Sequence, residues 1–343
     1  MKMRARDKTA YDAKGQSIAC YSAASYVHCL MRIWSLSLWI SILLLVVSVR
    51  GDDFPIKKFG SFTWVVDYEA SWSPDSRQIV LISSRHGGMK VHVMNADSES
   101  HGSDMRQLTF GNDEDDSPAW SPDGKKIAFV SLREGVSQIF VMNADGASVL
   151  QLTNGHAENI HPTWAPDSQR ILFNTTKFVG ATAADGRDVP SDNKVIGEQI
   201  DKKMELATIR VDGTDLKRLT TGGGYTYASF SPDGLSILHR CVDGAKSQIF
   251  VMNADATDDH NISGESTLDG WPAWSNDGKR VVFSRRVNDR FQVFTMNRDG
   301  SGIVQLTDAA GEFVNPRWSP DGTRILCARR LGDMTVVIFP APK

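Results

Sequence analysis

The chain has 343 residues, 41% of them hydrophobic and 23% charged, with a formal net charge of −3; this balance describes a globular protein able to bury a real core as one large domain or two ordinary ones. The charge is unevenly placed, because residues 1–51 hold seven Lys/Arg and two Asp/Glu, leaving 31 basic and 39 acidic residues beyond Gly51. A folded part of that sign repels phosphate backbones, which argues against nucleic acid as a partner.

Residues 1–30 resemble neither a fold nor an ordinary signal n-region and read as an extension, with Met31-Arg32 as the natural start. From Ile33 to Val49 the chain runs seventeen residues without a charge, between Arg32 and Arg50. That is the pattern of a secretory h-region or a short membrane anchor within a 31–51 signal segment. Only a weak small-x-small site lies around Val46 to Gly51, so cleavage and retention both fit; either route places the protein outside the cytoplasm, periplasmic or secreted, with the membrane met only through this segment. Of four cysteines, Cys20 and Cys29 precede Gly51, while Cys241 and Cys327 sit in apolar strand contexts and read as buried thiols. Two cysteines in so long a domain do not make a disulfide framework.

Residues 52–343 are repetitive. "SPAWSPDGKKIAF" at Ser117–Phe129 has near copies at Ala70, Pro162, Ala228, Pro272 and Pro316. The aromatic residues of the six copies are Trp72, Trp120, Trp164, Phe230, Trp274 and Trp318, and the spacing is 44 with one interval of 48 and one of 66. A period of 44 accommodates four short strands and their turns, whereas Pro and Gly in every copy break any helical repeat. In the second copy the strands are expected at Ala119–Ser121, Lys126–Ser131, Gln138–Asn143 and Val149–Thr153. Ser-Pro-Asp-Gly closes the first hairpin, since Pro presets φ, Asp bonds back to the turn and Gly follows without steric cost. Asn-Ala-Asp-Gly at Asn143–Gly146 does the same between the third and fourth strands.

Each unit is one small antiparallel sheet that cannot bury its faces alone, so the expected fold is all-β, a six-bladed β-propeller of four-stranded blades. The last unit lacks a "QLT" strand, and Phe54–Phe59, "FPIKKF", is expected to fill that place and close the ring, removing an exposed edge.

The string "PAWSPDGKKIAFVS…QIFVMNADG…QLT" resembles the TolB-type propeller repeat, over roughly Phe54–Lys343. The resemblance implies a six-bladed propeller in an exported protein that grips another protein or a peptide at one end of its channel, with an envelope role of the TolB kind. No counterpart of the α/β domain that precedes the propeller in TolB-type proteins is expected between the apolar segment and Phe54, which weighs against that specific role without removing it. Similar repeats occur in prolyl-oligopeptidase-type peptidases, whose C-terminal hydrolase domain is likewise not written here.

The irregular loops, fourth-to-first and second-to-third strand, share one end of such a disc, and function is expected there. Three positions before each repeat aromatic stand Glu69, Ser117, His161, Tyr227, Trp271 and Asn315. This mixed set is expected to ring the channel mouth and suits a peptide or small polar ligand, against the plain alternative of soluble loop residues. A basic set, Arg85, Arg133, Lys177, Arg285 and Arg329 with Arg286 and Arg330, belongs to the second-to-third loops. It either steers an acidic partner or saccharide, or is simply solvated or paired with neighbouring blades. "GNDEDDSP" offers Asp113, Asp115 and Asp116 as a weak calcium candidate without EF-hand spacing. Inside the third repeat, residues 175–203 form an inserted polar surface excursion, a lid or a neutral insertion. Asn174-Thr-Thr and Asn261-Ile-Ser match the glycosylation tripeptide.

No Gly-x-Ser-x-Gly, His-Glu-x-x-His or phosphate-cradling loop is present, and no cofactor is implied. The expected function is therefore non-catalytic binding of a protein segment by a monomeric propeller. The rival is a propeller enzyme, a lyase or hydrolase acting on an acidic polysaccharide through His161, Tyr227 and the arginines, with His86, His92, His156 and His239 as further metal ligands.

Overall fold

The computed structural model describes residues 66–97, 104–133, 135–178, 203–265, 268–308, 310–331 and 333–342. They form six antiparallel sheets, each running from an inner to an outer strand in chain order. The first blade is β1 (Asp67–Trp72), β2 (Gln78–Ser83), β3 (Lys90–Asn95) and β4 (Arg106–Gln107). The second is β5 (Asp115–Trp120), β6 (Lys126–Ser131), β7 (Gln138–Asn143) and β8 (Leu150–Gln151), and the third β9 (Asn159–Trp164), β10 (Arg170–Thr175), β11 (Glu205–Arg210) and β12 (Lys217–Arg218). The fourth holds β13 (Tyr225–Phe230), β14 (Ser236–Asp243), β15 (Lys246–Asn253) and β16 (His260–Asn261), and the fifth β17 (Asp269–Trp274), β18 (Arg280–Val287), β19 (Arg290–Asn297) and β20 (Val304–Gln305). The sixth has three strands among the described residues, β21 (Glu312–Trp318), β22 (Arg324–Leu331) and β23 (Asp333–Pro340). The molecule is a six-bladed β-propeller.

Three side-chain devices explain why the same words recur. In the Ser-Pro-Asp turn, Ser73 Oγ donates to Asp75 Oδ1 at 2.6 Å while accepting from the Gln78 N–H at 2.9 Å, and Asp75 also accepts from the Arg77 N–H. Ser121/Asp123, Ser275/Asp277 and Ser319/Asp321 repeat it. The Thr or Ser after the fourth strand pins that strand to the third: Thr109, Thr153, Thr220, Ser263 and Thr307 each accept the N–H of Val91, Ile139, Leu206, Ile249 and Val293 at 2.8–3.0 Å. In three blades the repeat tryptophan reaches the preceding one: Trp164 Nε1 donates to Ala119 O at 2.9 Å, and Trp72 and Trp274 reach Arg317 O and Ser229 O at 3.4 Å. Between these polar fixings, apolar side chains of neighbouring blades interlock, and Ala273, Val282 and Val293 of the fifth blade pack with Phe313, Trp318 and Ile325 of the sixth.

The sixth blade meets the first through the same contacts. Leu326 packs with Ala70, Trp72, Ile79 and Leu81. The Arg324 guanidinium stacks over Trp72 at 4.7 Å and donates to Ser76 O at 2.7 Å. Val66 forms a parallel bridge to Met334, as Leu268 does to Ser247 between the fourth and fifth blades. The segment Phe54–Phe59, the apolar run Ile33–Val49 and most of the 175–203 insertion lie outside the described residues.

The structure corrects some local expectations. The inner strand of the second blade begins at Asp115, not Ala119. Pro118 lies in a β-bulge, where its missing N–H removes no ladder bond, so the proline does not delay the strand. Cys327 is buried, but Cys241 is only half-buried, and both are free thiols. Asn174 is fully buried and donates to Tyr225 O, so it is no acceptor for a glycan in the folded chain.

Candidate functional site

Glu69, Ser117, His161, Tyr227, Trp271 and Asn315 share one backbone conformation. All six have left-handed φ between 47° and 57°. Each sits where the pairing of the inner strand slips: Tyr68 faces Ile82 and Ser71 faces Val80, so Glu69 and Ala70 together oppose one residue. The same slip occurs in the other five blades. A non-glycine residue held there costs about 1–2 kcal/mol, so the surrounding blade must over-determine the bulge in every copy. A bulge re-aims its side chain, and here Glu69, Ser117, His161 and Tyr227 face the channel.

Two residues further along the inner strands stand Ser71, Ala119, Thr163, Ser229, Ala273 and Arg317, five small side chains and one guanidinium. The small ones leave space. A cavity of about 450 Å³ lies beneath Glu69, Ser117, His161 and Tyr227 and extends past this second tier to Pro122, Pro166, Pro232 and Pro320 of the repeated turns. The channel volume therefore reaches the end that carries the constant turns, whereas the sequence reading has the irregular loops framing it. Short side chains in five blades are the reason.

The ring is not uniform. The His161 and Tyr227 rings stack at 3.9 Å, Trp271 tilts against Tyr227 at 5.7 Å, and Phe291 meets Trp271 edge-on at 5.2 Å. Trp271 thus leans on its own blade instead of lining the cavity. Asn315 is buried beside the Glu69 carboxyl. Burial raises the Glu69 pKa, against the Arg317 guanidinium and Asn315, which pull it down. Asp116, next in space to Glu69, is pushed to about 8 by burial and by the Glu69 charge, although its Oδ1 accepts the Ser117 N–H at 2.7 Å. Tyr68, buried beside Asp116 and Glu69, is held well above the ordinary phenol value, chiefly by burial. His161 is driven down to about 3 by burial and by the Arg240 and Arg317 charges, so its imidazole is neutral at physiological pH. The centre therefore combines a carboxyl that keeps its proton, a neutral imidazole, an aromatic stack and two guanidiniums.

The structure disperses the basic loop set. Arg85 pairs with Asp67 at 2.6 Å, Arg285 grips both oxygens of Asp269 at 2.8 and 2.9 Å, Arg330 pairs with Glu312 and Arg286 with Asp289. Arg133 bonds Ser131 Oγ and lies over Phe140 at 4.7 Å. Arg329 stands opposite Phe313, and the Lys177 N–H caps onto Thr175. Three of the seven cations, Arg85, Arg285 and Arg330, fasten the start of their own inner strand. The acidic run separates by strand alternation: Asp115 turns to the buried Lys90, with Nζ to Oδ2 at 3.7 Å, Asp116 turns to Tyr68 and Glu69, and Asp113 stays exposed. No group of three or more His, Cys, Asp or Glu that could hold a metal occurs among the described residues. His86 and His92 do meet, ring nitrogens 2.9 Å apart, while His239 bonds Asp259.

Arg317, Asp116 as a proton holder, Tyr68 and Arg240 are the residues that motif reading missed. Arg317 could have been found by stacking the six repeats, where it alone departs from Ser, Ala or Thr.

The profile of the TolB beta propeller domain family matches residues 56–195 and 178–339. Among solved structures, a TolB-like protein from Agrobacterium tumefaciens is similar at 22% identity and a TM-score of 0.58, over 81% of this chain and 91% of that one. TolB from Acinetobacter baumannii is similar at 18% identity and a TM-score of 0.58, over 88% of this chain and 64% of that one. Oligogalacturonate lyase from Vibrio parahaemolyticus shares the fold at 9% identity and a TM-score of 0.54, over 81% and 92%. No curated protein sequence matches the chain. With the six-bladed architecture and a profile that spans most of the sequence, the chain belongs to the TolB beta propeller domain family.

Proposed function

We propose that the chain is an exported, non-catalytic propeller scaffold, acting as a monomer outside the cytoplasm, that binds a protein segment or peptide in its central channel. The observation that carries this reading is the six-fold bulge. Six strained positions hold six different side chains, and four of them, Glu69, Ser117, His161 and Tyr227, stand over a cavity of about 450 Å³, which is the size of a site for a few side chains. Strain kept in every blade supports recognition over solvation. The test is selection of displayed peptides on the wild-type protein, followed by binding to a Tyr227→Ala, Trp271→Ala double variant. Channel-bound peptides should weaken tenfold or more; equal binding to both proteins argues against the reading.

A second reading is favoured by one observation. A protonated Asp116 beside Glu69 and Tyr68 is the kind of paired carboxyl environment that acid–base enzymes use. It makes an enzyme acting on an acidic polysaccharide the alternative. Incubation with polygalacturonate or alginate, following new reducing ends and unsaturated ends, decides it: product lost in Asp116→Asn and Glu69→Gln supports catalysis, and no product from either polymer rejects it.

A further inference from the structure

We propose that the cavity beneath the ring seats one carboxylate of the bound segment on Arg317, approached from the face of the repeated Ser-Pro-Asp turns. The inference rests on the binding reading above and deepens it by naming the group recognised and the face it enters.

Arg317 is the single Lys or Arg among the residues that line the cavity, and Glu69 the single acid. Its place in the second tier is taken by Ser71, Ala119, Thr163, Ser229 and Ala273 in the other blades, so the guanidinium projects into space that five short side chains have cleared. Its Nη1 donates to Pro316 O at 3.0 Å. That bond within its own strand orients the planar fork and leaves the remaining donors for another acceptor. Glu69 is the acid beside Arg317, and burial raises its carboxyl even there. Arg240 lies over the Tyr227 ring, 6.0 Å from its centroid, and both guanidiniums act on His161.

Around the stack stand the Arg317 and Arg240 guanidiniums, the Glu69 carboxyl raised by burial, a neutral His161 and an Asp116 pushed to about 8. A desolvated guanidinium is stable only when paired, and a carboxylate matches its fork in a bidentate way. The hydroxyls of Ser71 and Ser229 and the turn prolines surround the approach, giving polar contact for the carboxylate and apolar contact for the stem that carries it. An Asp or Glu side chain and a free chain terminus present the same group.

The experiment uses the tightest peptide selected on the wild-type protein, in four forms: as selected, with each Asp or Glu changed to Asn or Gln, with the C-terminus amidated, and with both changes. Fluorescence anisotropy is read against wild type, Arg317→Lys and Arg317→Met, with thermal midpoints to verify folding. The expected result is a loss of about tenfold or more on removing one carboxylate. That loss should vanish in Arg317→Met and remain in part in Arg317→Lys. The arm that shows it, side chain or terminus, identifies the source of the carboxylate. Unchanged binding after all carboxylates are removed overturns the seat and leaves the binding reading standing, whereas failure to select any channel-dependent peptide removes both. If Arg317→Met does not fold, the peptide series on wild type decides alone.

Discussion

Replacing Asp116 by Asn should change how stability depends on pH. In the folded protein the Asp116 carboxyl is raised from 3.8 to about 8, first by burial and then by the Glu69 charge. The unfolded chain therefore gives up this proton near pH 4, and the folded chain keeps it until about pH 8. Across that window the native state binds more protons than the unfolded state, so the group makes stability fall as pH rises. A window of about four pH units at about 1.4 kcal/mol each sets a ceiling of about 6 kcal/mol. Partial exposure and the proton shared with Glu69 reduce the expected effect to about 2–3 kcal/mol. Urea unfolding of both proteins from about pH 5 to about pH 8 measures it. The substituted amide cannot ionise, so the variant should gain about 2–3 kcal/mol on the wild type between the two ends. Parallel profiles would refute the claim that this carboxyl holds its proton.

The strand-pinning hydroxyl makes a sharper local prediction. Thr153→Val keeps shape but leaves the Ile139 N–H without its side-chain acceptor and takes one donor from Gln138 Oε1, which should cost about 1–3 kcal/mol in chemical unfolding. Arg324→Met removes the stack on Trp72 and the bond to Ser76 O at the junction of the sixth and first blades; a loss of about 1–3 kcal/mol is expected by the same assay. Thr109, Thr153, Ser263 and Thr307 each lie eight residues before the next ring residue, and Ser61 lies eight before Glu69. Removing residues 52–63 should therefore lower the thermal midpoint and promote association through the edge of β23, whereas an unchanged midpoint in sedimenting monomer would exclude that segment as the closing strand.

The blade count and turn chemistry are legible because a 44-residue period repeats both at once, and the sequence places Lys126–Ser131 and Gln138–Asn143 to the residue. The ring residues are legible for a related reason, since a fixed offset from a repeated aromatic is a fixed place in a blade. Their left-handed backbone is not, because a bulge depends on pairing with the next strand and Glu, Ser, Tyr and Trp carry no preference for it, while His161 and Asn315 alone are of types that favour it. Arg85 and Arg285 look like a free basic set in the sequence because their partners, Asp67 and Asp269, stand 18 and 16 residues away and join them only across a blade. The end at which the cavity lies is hidden in what is missing from five blades, the absence of a long side chain at Ser71, Ala119, Thr163, Ser229 and Ala273.

Filling the cavity tests the account most directly. In an Ala119→Trp variant an indole occupies the second tier without altering the chemistry of Tyr227, Trp271 or Arg317, and the affinity of a selected peptide is compared with wild type by anisotropy. The account predicts tenfold or weaker binding in a variant that still unfolds cooperatively. Undiminished binding with the cavity filled would contradict it.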